Sequence, residues 1–398
     1  MKGNLHRCMT GASGGRTLDA NRADIKVKNL KMNSRGRERV SPAIIAVVLA
    51  LFITACSTYN VNPFAEQTAK LASEKATMPR TVVANLEGAK PQETLSEVYQ
   101  KYRGIKEGQV YTSGAEKVDP NLFGIAIATV GGKVYKVGNA HTPFPIQSIS
   151  KIFIYGLALE DHGRDLMLEK VGVNATGLPY NSIIASNVRA EKLQNPMVSA
   201  GAIATVSLIK GSSEKEKCAR VRQMFARYAG HELPLNEAVY RAEMKNSAMS
   251  RALAELLSAH ELLYDGVDNT IARYLKGTSQ NITAVDLAVM GATLANWGIN
   301  PLTQERAVEK KYVQNILSVM VTAGLYDDSG KWLFNIGLPA KSGVGGGIVA
   351  VVPGRLSIAV YSPPLDSRGN SVRGTKVVED LSKRWNLHML ASQVSELR

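Results

Sequence analysis

Ser148 and Lys151, in the run Gln147-Ser-Ile-Ser-Lys151, are the two side chains best placed for joint chemistry. A serine hydroxyl is a weak nucleophile until a base takes its proton. A lysine can act as that base when burial lowers its pKa and leaves the amine neutral. At a helix start, a spacing of three puts the pair on one face, one turn apart. The positive end of the helix dipole then favours the developing anion. Ser150 is a second hydroxyl in the same run, but it does not share a face with Lys151. Far downstream, Lys341-Ser-Gly343 leads into Val344-Gly-Gly-Gly-Ile348. Glycines allow a backbone to approach a substrate closely. The N–H of Val344, with that of Ser148, can form an oxyanion hole.

The elements that must position these residues are legible as patterns. A helical period runs from Thr94 to Lys101. Phe123 to Val130, a Gly131-Gly132 turn and Lys133 to Val137 read as a hairpin. From Pro145 the period becomes helical through Ile149, Ile152, Phe153 and Leu157, with proline in the first turn. Ala200 to about Trp297 reads as mostly helical, including Ser250 to Ala259 and Ala284 to Trp297. Strands return at Leu333 to Ile336, Gly347 to Pro353 and Leu356 to Tyr361, and a helix from Thr375 to Leu387 follows. Strands at both ends with helices between them predict an α+β fold: an antiparallel sheet flanked by helices, with a helical subdomain.

A strand, then K-[ST]-G, then a glycine-rich turn resembles the third box of β-lactamases and penicillin-binding proteins. Longer stretches resemble one family more specifically. They are Phe144 to Phe153, Asn195-Pro-Met-Val-Ser-Ala-Gly-Ala-Ile203, Asp286 to Asn296, Gly324-Leu-Tyr-Asp327, Gly337 to Val344, and Ser362-Pro-Pro-Leu-Asp366 with Gly369 to Gly374. Across roughly Leu95 to Leu390 the chain resembles the serine-dependent glutaminases. The resemblance implies a β-lactamase/DD-peptidase-like fold, hydrolysis of L-glutamine to glutamate and ammonia through an acyl-serine, no metal or organic cofactor, and homo-oligomers, either dimers or tetramers.

Position by position, the resemblance makes Ser148 the nucleophile and Lys151 its base, with Lys341 in the K-S-G box. It makes Tyr326 the tyrosine that relays a proton near the scissile amide. Glu243 pairs with the substrate ammonium, Tyr274 lines the glutamine pocket and Val344 supplies the oxyanion N–H. Tyr111 corresponds to an early pocket tyrosine within a shortened surrounding pattern. Two departures stand out: Ser199 and Ser250 occupy positions where the family carries asparagine at the glutamine site. Serine is shorter, so a direct contact becomes a water bridge or is lost. Lys276 and Thr278 stand where glutamine and cysteine are usual. The catalytic pair is intact while the specificity shell is altered. Two alternatives therefore stay open: a related serine amidohydrolase with another small amide as substrate, and a silent amino-acid-binding protein.

Composition narrows the classes further. The 398 residues allow a sizeable core, and 45% hydrophobic with 21% charged residues is ordinary for a globular protein. The net charge is +14, yet Met1 to Val40 alone holds ten Lys/Arg against three Asp/Glu. With 6% aromatics and no basic run interleaved with them, nucleic-acid binding is not expected. Cys8, Cys56 and Cys218 are far apart, and the six histidines are scattered without paired spacing. Neither a disulfide framework nor a zinc site is expected.

The basic stretch precedes an apolar run from Pro42 that ends Ile53-Thr-Ala-Cys56. The run is too short to span a membrane comfortably and has signal-peptide layout. Its end resembles a bacterial lipobox, which implies cleavage before Cys56 and acylation of its thiol. Ser57 at the next position implies sorting to the outer membrane of a Gram-negative cell, facing the periplasm. A start at Met32 would give the leader ordinary proportions. The expected organisation is residues 1–56 as leader and lipoprotein-type signal, 57–91 as a polar tether, and 92–398 as the catalytic domain.

Overall fold

The computed structural model describes residues 90–112, 117–175, 177–183 and 194–391. The leader, Cys56 and nearly all of the tether lie outside the described residues. Eleven α-helices are described: α1 (Pro91–Tyr102), α2 (Ser150–Lys170), α3 (Ser199–Ser207), α4 (Glu214–Ala229), α5 (Glu237–Lys245), α6 (Ala248–Ala259), α7 (Val267–Thr278), α8 (Ala284–Ala295), α9 (Lys310–Ala323), α10 (Ser329–Asn335) and α11 (Val372–Arg384). The described strands are β1 (Gln109–Val110), β2 (Gly124–Thr129), β3 (Val134–Gly138), β4 (Phe144–Pro145), β5 (Asn281–Ile282), β6 (Ala340–Gly343), β7 (Gly347–Val352), β8 (Leu356–Tyr361) and β9 (Pro364–Leu365).

The main sheet is antiparallel with five strands in the order β3-β2-β8-β7-β6. Its central strands are buried on both faces, and the two faces carry different residues. Ile125, Ile127, Ile348, Ala350, Ile358 and Val360 join Val377, Val378 and Leu381 of α11 and Leu95 and Val98 of α1. Ala126, Ala128, Val349, Val351 and Ala359 face the other way, into the core that holds Leu287 and Ala288 of α8. This is the period-2 alternation of a strand. Small residues on the α8 side let that helix sit close: a Cβ on Gly291 would meet Ser357 Oγ at 2.6 Å. The Ser357 hydroxyl donates to Ala288 O at 2.6 Å and ties helix to sheet. Helices α2 to α7 and α9 build the second core, so the helical subdomain packs on the α8 side.

Two expectations need correction. Leu333 to Ile336 is not a strand: it falls in and just after α10. Trp332 and Ile336 are buried one helical turn apart while Phe334 between them is 85% exposed. A run as short as Leu333-Phe-Asn-Ile336 cannot distinguish the two periods. Pro145 is not in a helical first turn either. It lies in β4, paired with Asn281, and the chain turns helical only at the 3-10 turn Gln147–Ile149.

Candidate active site

Ser148 occupies the 3-10 turn that opens α2, and Lys151 sits one turn on, at the second residue of α2. Lys151 Nζ donates to Ser148 Oγ at 3.0 Å. Lys151 is 2% exposed while Ser148 is 8% exposed, so the amine is enclosed and the hydroxyl is at the edge of solvent. Burial disfavours the ammonium and lowers the Lys151 pKa to about 7. The rival hydroxyl, Ser150, is turned away and donates to Gln147 O at 2.7 Å.

The residue before Ser148 is strained. Gln147 has φ of 50°, a left-handed conformation uncommon outside glycine. Its buried amide reaches Glu243 Oε1 at 3.3 Å. Tyr326, also in this site, is another, with φ of 59°. Ser329 staples that turn, donating to Tyr326 O at 2.8 Å and accepting from Leu325 N–H at 3.1 Å. Both strained residues border the Ser148 hydroxyl, since the Tyr326 side chain hydrogen-bonds to Ser148. Burial pushes the Tyr326 phenol up to about 12, and the Ser148 contact partly offsets the rise. Its hydroxyl also donates to Ser342 O at 3.3 Å.

Lys341 on β6 is fully buried. Its Nζ donates to Gly324 O at 2.9 Å and Ser342 O at 2.8 Å, and stands 4.0 Å from the centre of the Tyr326 ring. Burial first, and then the positive charge of Lys151, hold its pKa well below the usual lysine range. The glycines after Lys341 bring this strand against the Ser148 turn. A Cβ on Gly343 would stand 3.0 Å from Ile146 O, and one on Gly345 would stand 2.6 Å from Pro145 O. Val344, half-buried, lies between these two contacts.

A second group of residues forms the rest of the pocket. Tyr111 donates to Glu243 Oε1 at 3.0 Å. Tyr111 as a whole is 40% exposed, but its hydroxyl end is packed against Glu243. Desolvation, then that carboxylate, raise its pKa. Tyr274 on α7 hydrogen-bonds to Ser199 at the start of α3, and burial raises its pKa. Oε1 of Glu243 thus takes both Gln147 and Tyr111, while Oε2 has no hydrogen bond among the described residues. At the edge, Tyr111, Gln147 and Gly345 line a small cleft of about 40 Å³. Among the described residues no group of three or more His, Cys, Asp or Glu side chains is arranged to hold a metal ion.

The structure therefore brings together Ser148, Lys151, Tyr326 and Lys341 on one side, and Ser199, Tyr274, Glu243 and Tyr111 on the other. No hydrogen bond among the described residues ties the Ser250 side chain to either group. It is half-buried in the first turn of α6, which packs against α3. Sequence reasoning missed Tyr180. Its ring is 4.7 Å from that of Tyr326, and its backbone carbonyl accepts Ser199 N–H at 2.9 Å. It joins the two groups, and it lies in an irregular segment with no periodicity to mark it. The strained backbone of Gln147 has no signature in the sequence, because a left-handed conformation is marked there only by glycine.

The family model Glutaminase matches residues 109–390. The chain belongs to the glutaminase family. A glutaminase of Trichormus variabilis is 49% identical over 297 residues, which is 74% of this chain and 89% of that protein. Among solved structures, the protein named probable glutaminase ybaS is 38% identical with a TM-score of 0.74, over 76% of this chain and 98% of the other. Mglu in its glutamate form is 35% identical with a TM-score of 0.72, over 76% of this chain and 70% of the other. The fold of this family member is accordingly β-lactamase-like.

Proposed function

We propose that this chain hydrolyses L-glutamine to L-glutamate and ammonia through an acyl-enzyme on Ser148. The observation that carries the reading is the 3.0 Å contact between the Ser148 hydroxyl and an enclosed lysine whose pKa is lowered to about 7. A neutral Lys151 takes the Ser148 proton as Oγ attacks the amide carbon. The backbone N–H groups of Ser148 and Val344 face the oxyanion. Collapse needs a proton on the leaving nitrogen. Tyr326, protonated at neutral pH and bonded to Ser148, delivers it and is reprotonated through Lys151. Ammonia leaves, and water attacks the ester with Lys151 again as base. Glu243 Oε2 takes the substrate ammonium in a charge-assisted hydrogen bond. Mglu, a structural neighbour, is described in a glutamate form, in keeping with the product class.

Ser199 supports a second reading, a related amidohydrolase with another small amide as substrate. Its hydroxyl is already engaged with Tyr274, so less of it is available to a ligand. One assay separates these. Ammonia release from L-glutamine by the detergent-solubilised full-length protein should be robust and should vanish in Ser148→Ala. Turnover of another amide but not glutamine selects the second reading; no turnover of any amide leaves a silent binder. The lipobox-like run ending at Cys56 supports an exported, lipid-anchored protein on the periplasmic side of a Gram-negative cell. Cys56→Ala should then release the protein from membranes or block its processing, and unchanged fractionation refutes the anchor. The family resemblance supports a dimer or tetramer, which sedimentation velocity would resolve.

A further inference from the structure

Four tyrosines line the space between Ser148 and Glu243, and three of their hydroxyls are committed. Tyr111 donates to Glu243 Oε1 at 3.0 Å. Tyr274 is bonded to Ser199, and Tyr326 is bonded to Ser148 and donates to Ser342 O at 3.3 Å. The fourth is Tyr180, whose hydroxyl has no hydrogen bond among the described residues. Tyr180 is half-buried, with that hydroxyl still open to solvent. A tyrosine hydroxyl drawn into a site usually meets a partner. The residue itself is held in place. Its ring packs 4.7 Å from the ring of Tyr326, and its carbonyl accepts the Ser199 N–H at 2.9 Å.

A free amino acid brings an ammonium and a carboxylate on one carbon, and both lose water on binding. Glu243 Oε2 is an open acceptor for the ammonium. The carboxylate needs donors, and the two lysines of the site are already engaged. Lys151 bonds Ser148, and Lys341 bonds Gly324 O and Ser342 O. The Tyr180 phenol is free to donate. Burial first, and then the Glu243 carboxylate, raise its pKa, so it keeps its proton at neutral pH. After burial and their nearer partners, Tyr111, Tyr274 and Tyr326 each also feel Tyr180, so its phenol faces the space they enclose. Resting on the placement of the substrate amide at Ser148 proposed above, we infer that Tyr180 is a further substrate-binding residue that sets specificity, its hydroxyl donating to the α-carboxylate while Glu243 Oε2 takes the ammonium.

The assignment bears directly on Ser199. That serine is shorter than asparagine, and its hydroxyl is turned to Tyr274. The bond from Ser199 N–H to Tyr180 O sets the phenol on the segment beside this position. Tyr180 thus supplies part of what the serine is too short to offer. One open donor and one open acceptor also demand both charges of the ligand. An amide without the carboxylate leaves Tyr180 unpaired, and one with a blocked amine leaves Glu243 unpaired. Polar groups of a site left without their partner give strong discrimination. The substrate class is therefore a free α-amino acid with a side-chain amide, rather than a peptide or a simple amide.

The test uses the detergent-solubilised full-length protein and Tyr180→Phe, which keeps the ring against Tyr326 and removes the hydroxyl. In calorimetric titration the variant should bind L-glutamate about tenfold more weakly than the wild type, the usual cost of losing a hydrogen bond to a charged group. The probe γ-aminobutyrate, which is L-glutamate without its α-carboxylate, should bind both proteins equally. In steady-state kinetics with L-glutamine, the variant should raise KM about tenfold with a smaller fall in kcat. Titration needs no turnover. A wild type that binds L-glutamate but does not hydrolyse L-glutamine therefore sinks the proposed hydrolysis, and the variant's titration still decides the role of Tyr180. The inference is overturned if the variant binds L-glutamate as tightly as the wild type, or if both probes weaken together, since the hydroxyl would then order the pocket as a whole. A tenfold fall in kcat at unchanged KM also overturns it, because Tyr180 would then act through Tyr326. So does a wild type that binds neither probe.

Discussion

Replacing Lys151 by methionine should destroy activity and stabilise the fold. The reasoning starts from the enclosed amine, whose pKa falls from 10.5 in an unfolded chain to about 7 here. Between those values the unfolded chain holds a proton that the folded chain has lost. Wild-type stability therefore rises with pH across this window, and at pH 7 the folded state bears nearly the whole penalty. The shift of about 3.5 units corresponds to about 4 kcal/mol at pH 7, where the folded group is half protonated, and to about 1 kcal/mol at pH 10. Methionine fills a similar volume with no charge to desolvate. The loss of the Nζ–Oγ hydrogen bond offsets about 1 kcal/mol. The net gain is about 3 kcal/mol at pH 7, or about 6 °C in Tm for a domain of this size, and close to zero at pH 10. Differential scanning calorimetry at the two pH values reads this directly. A variant whose Tm gain is equal at both pH values, or that loses stability at pH 7, would refute the argument that desolvation sets the amine's pKa.

The same pKa fixes the acid limb of the rate profile. Because acylation needs the neutral amine, kcat/KM for L-glutamine should fall tenfold per pH unit below about 7, and a limb below pH 5 would assign it to a carboxylate instead. Glu243→Gln keeps the shape and removes the charge. A charge-assisted hydrogen bond is worth roughly 1.5–3 kcal/mol, so KM should rise about 10- to 100-fold with a smaller change in kcat; an unchanged KM would place the ammonium elsewhere. The double change Ser199→Asn with Ser250→Asn should raise kcat/KM by roughly 10- to 100-fold if each restores a contact of about 1 kcal/mol. A fall in steady-state kinetics would mean that the serines are fitted to a different amide.

Much of the site was legible because its parts are local. A serine and a lysine three apart at a helix start need only the helix to meet. Lys341-Ser-Gly343 needs only a strand that can lie close to its neighbour, and the glycines at 343 and 345 state that in the sequence. The rest depends on long-range packing. Tyr180 is brought to Tyr326 by a connection without a repeat pattern, and only the fold makes them neighbours. The burial of Lys341 is likewise tertiary, because a lysine in a glycine-rich strand reads as a surface residue until both faces of β6 are covered. Leu333 to Ile336 shows the converse, a short, mostly apolar segment whose period is decided by what covers it. Ser250 remains on its helix, half-buried, and its part in the pocket follows from the resemblance rather than from any contact in the fold.

The two enclosed lysines also constrain each other. Burial lowers both pKa values, and a charge on one opposes a charge on the other. The two amines therefore compete for protons, and the chemistry depends on which of them takes one first. Lys341 has two carbonyl acceptors and the face of the Tyr326 ring, all of which favour an ammonium. Lys151 has the Ser148 hydroxyl, which can serve a neutral amine equally well by turning its own proton toward the lone pair. The better place for the shared proton is therefore Lys341, even though its pKa stays below the ordinary lysine value. With the proton there, Lys151 presents a lone pair to Ser148 and the positive charge lies under the Tyr326 ring, where it favours loss of the phenol proton to the leaving nitrogen. The K-S-G lysine then acts on the reaction by keeping its neighbour neutral, and no contact between Lys341 and the substrate is required.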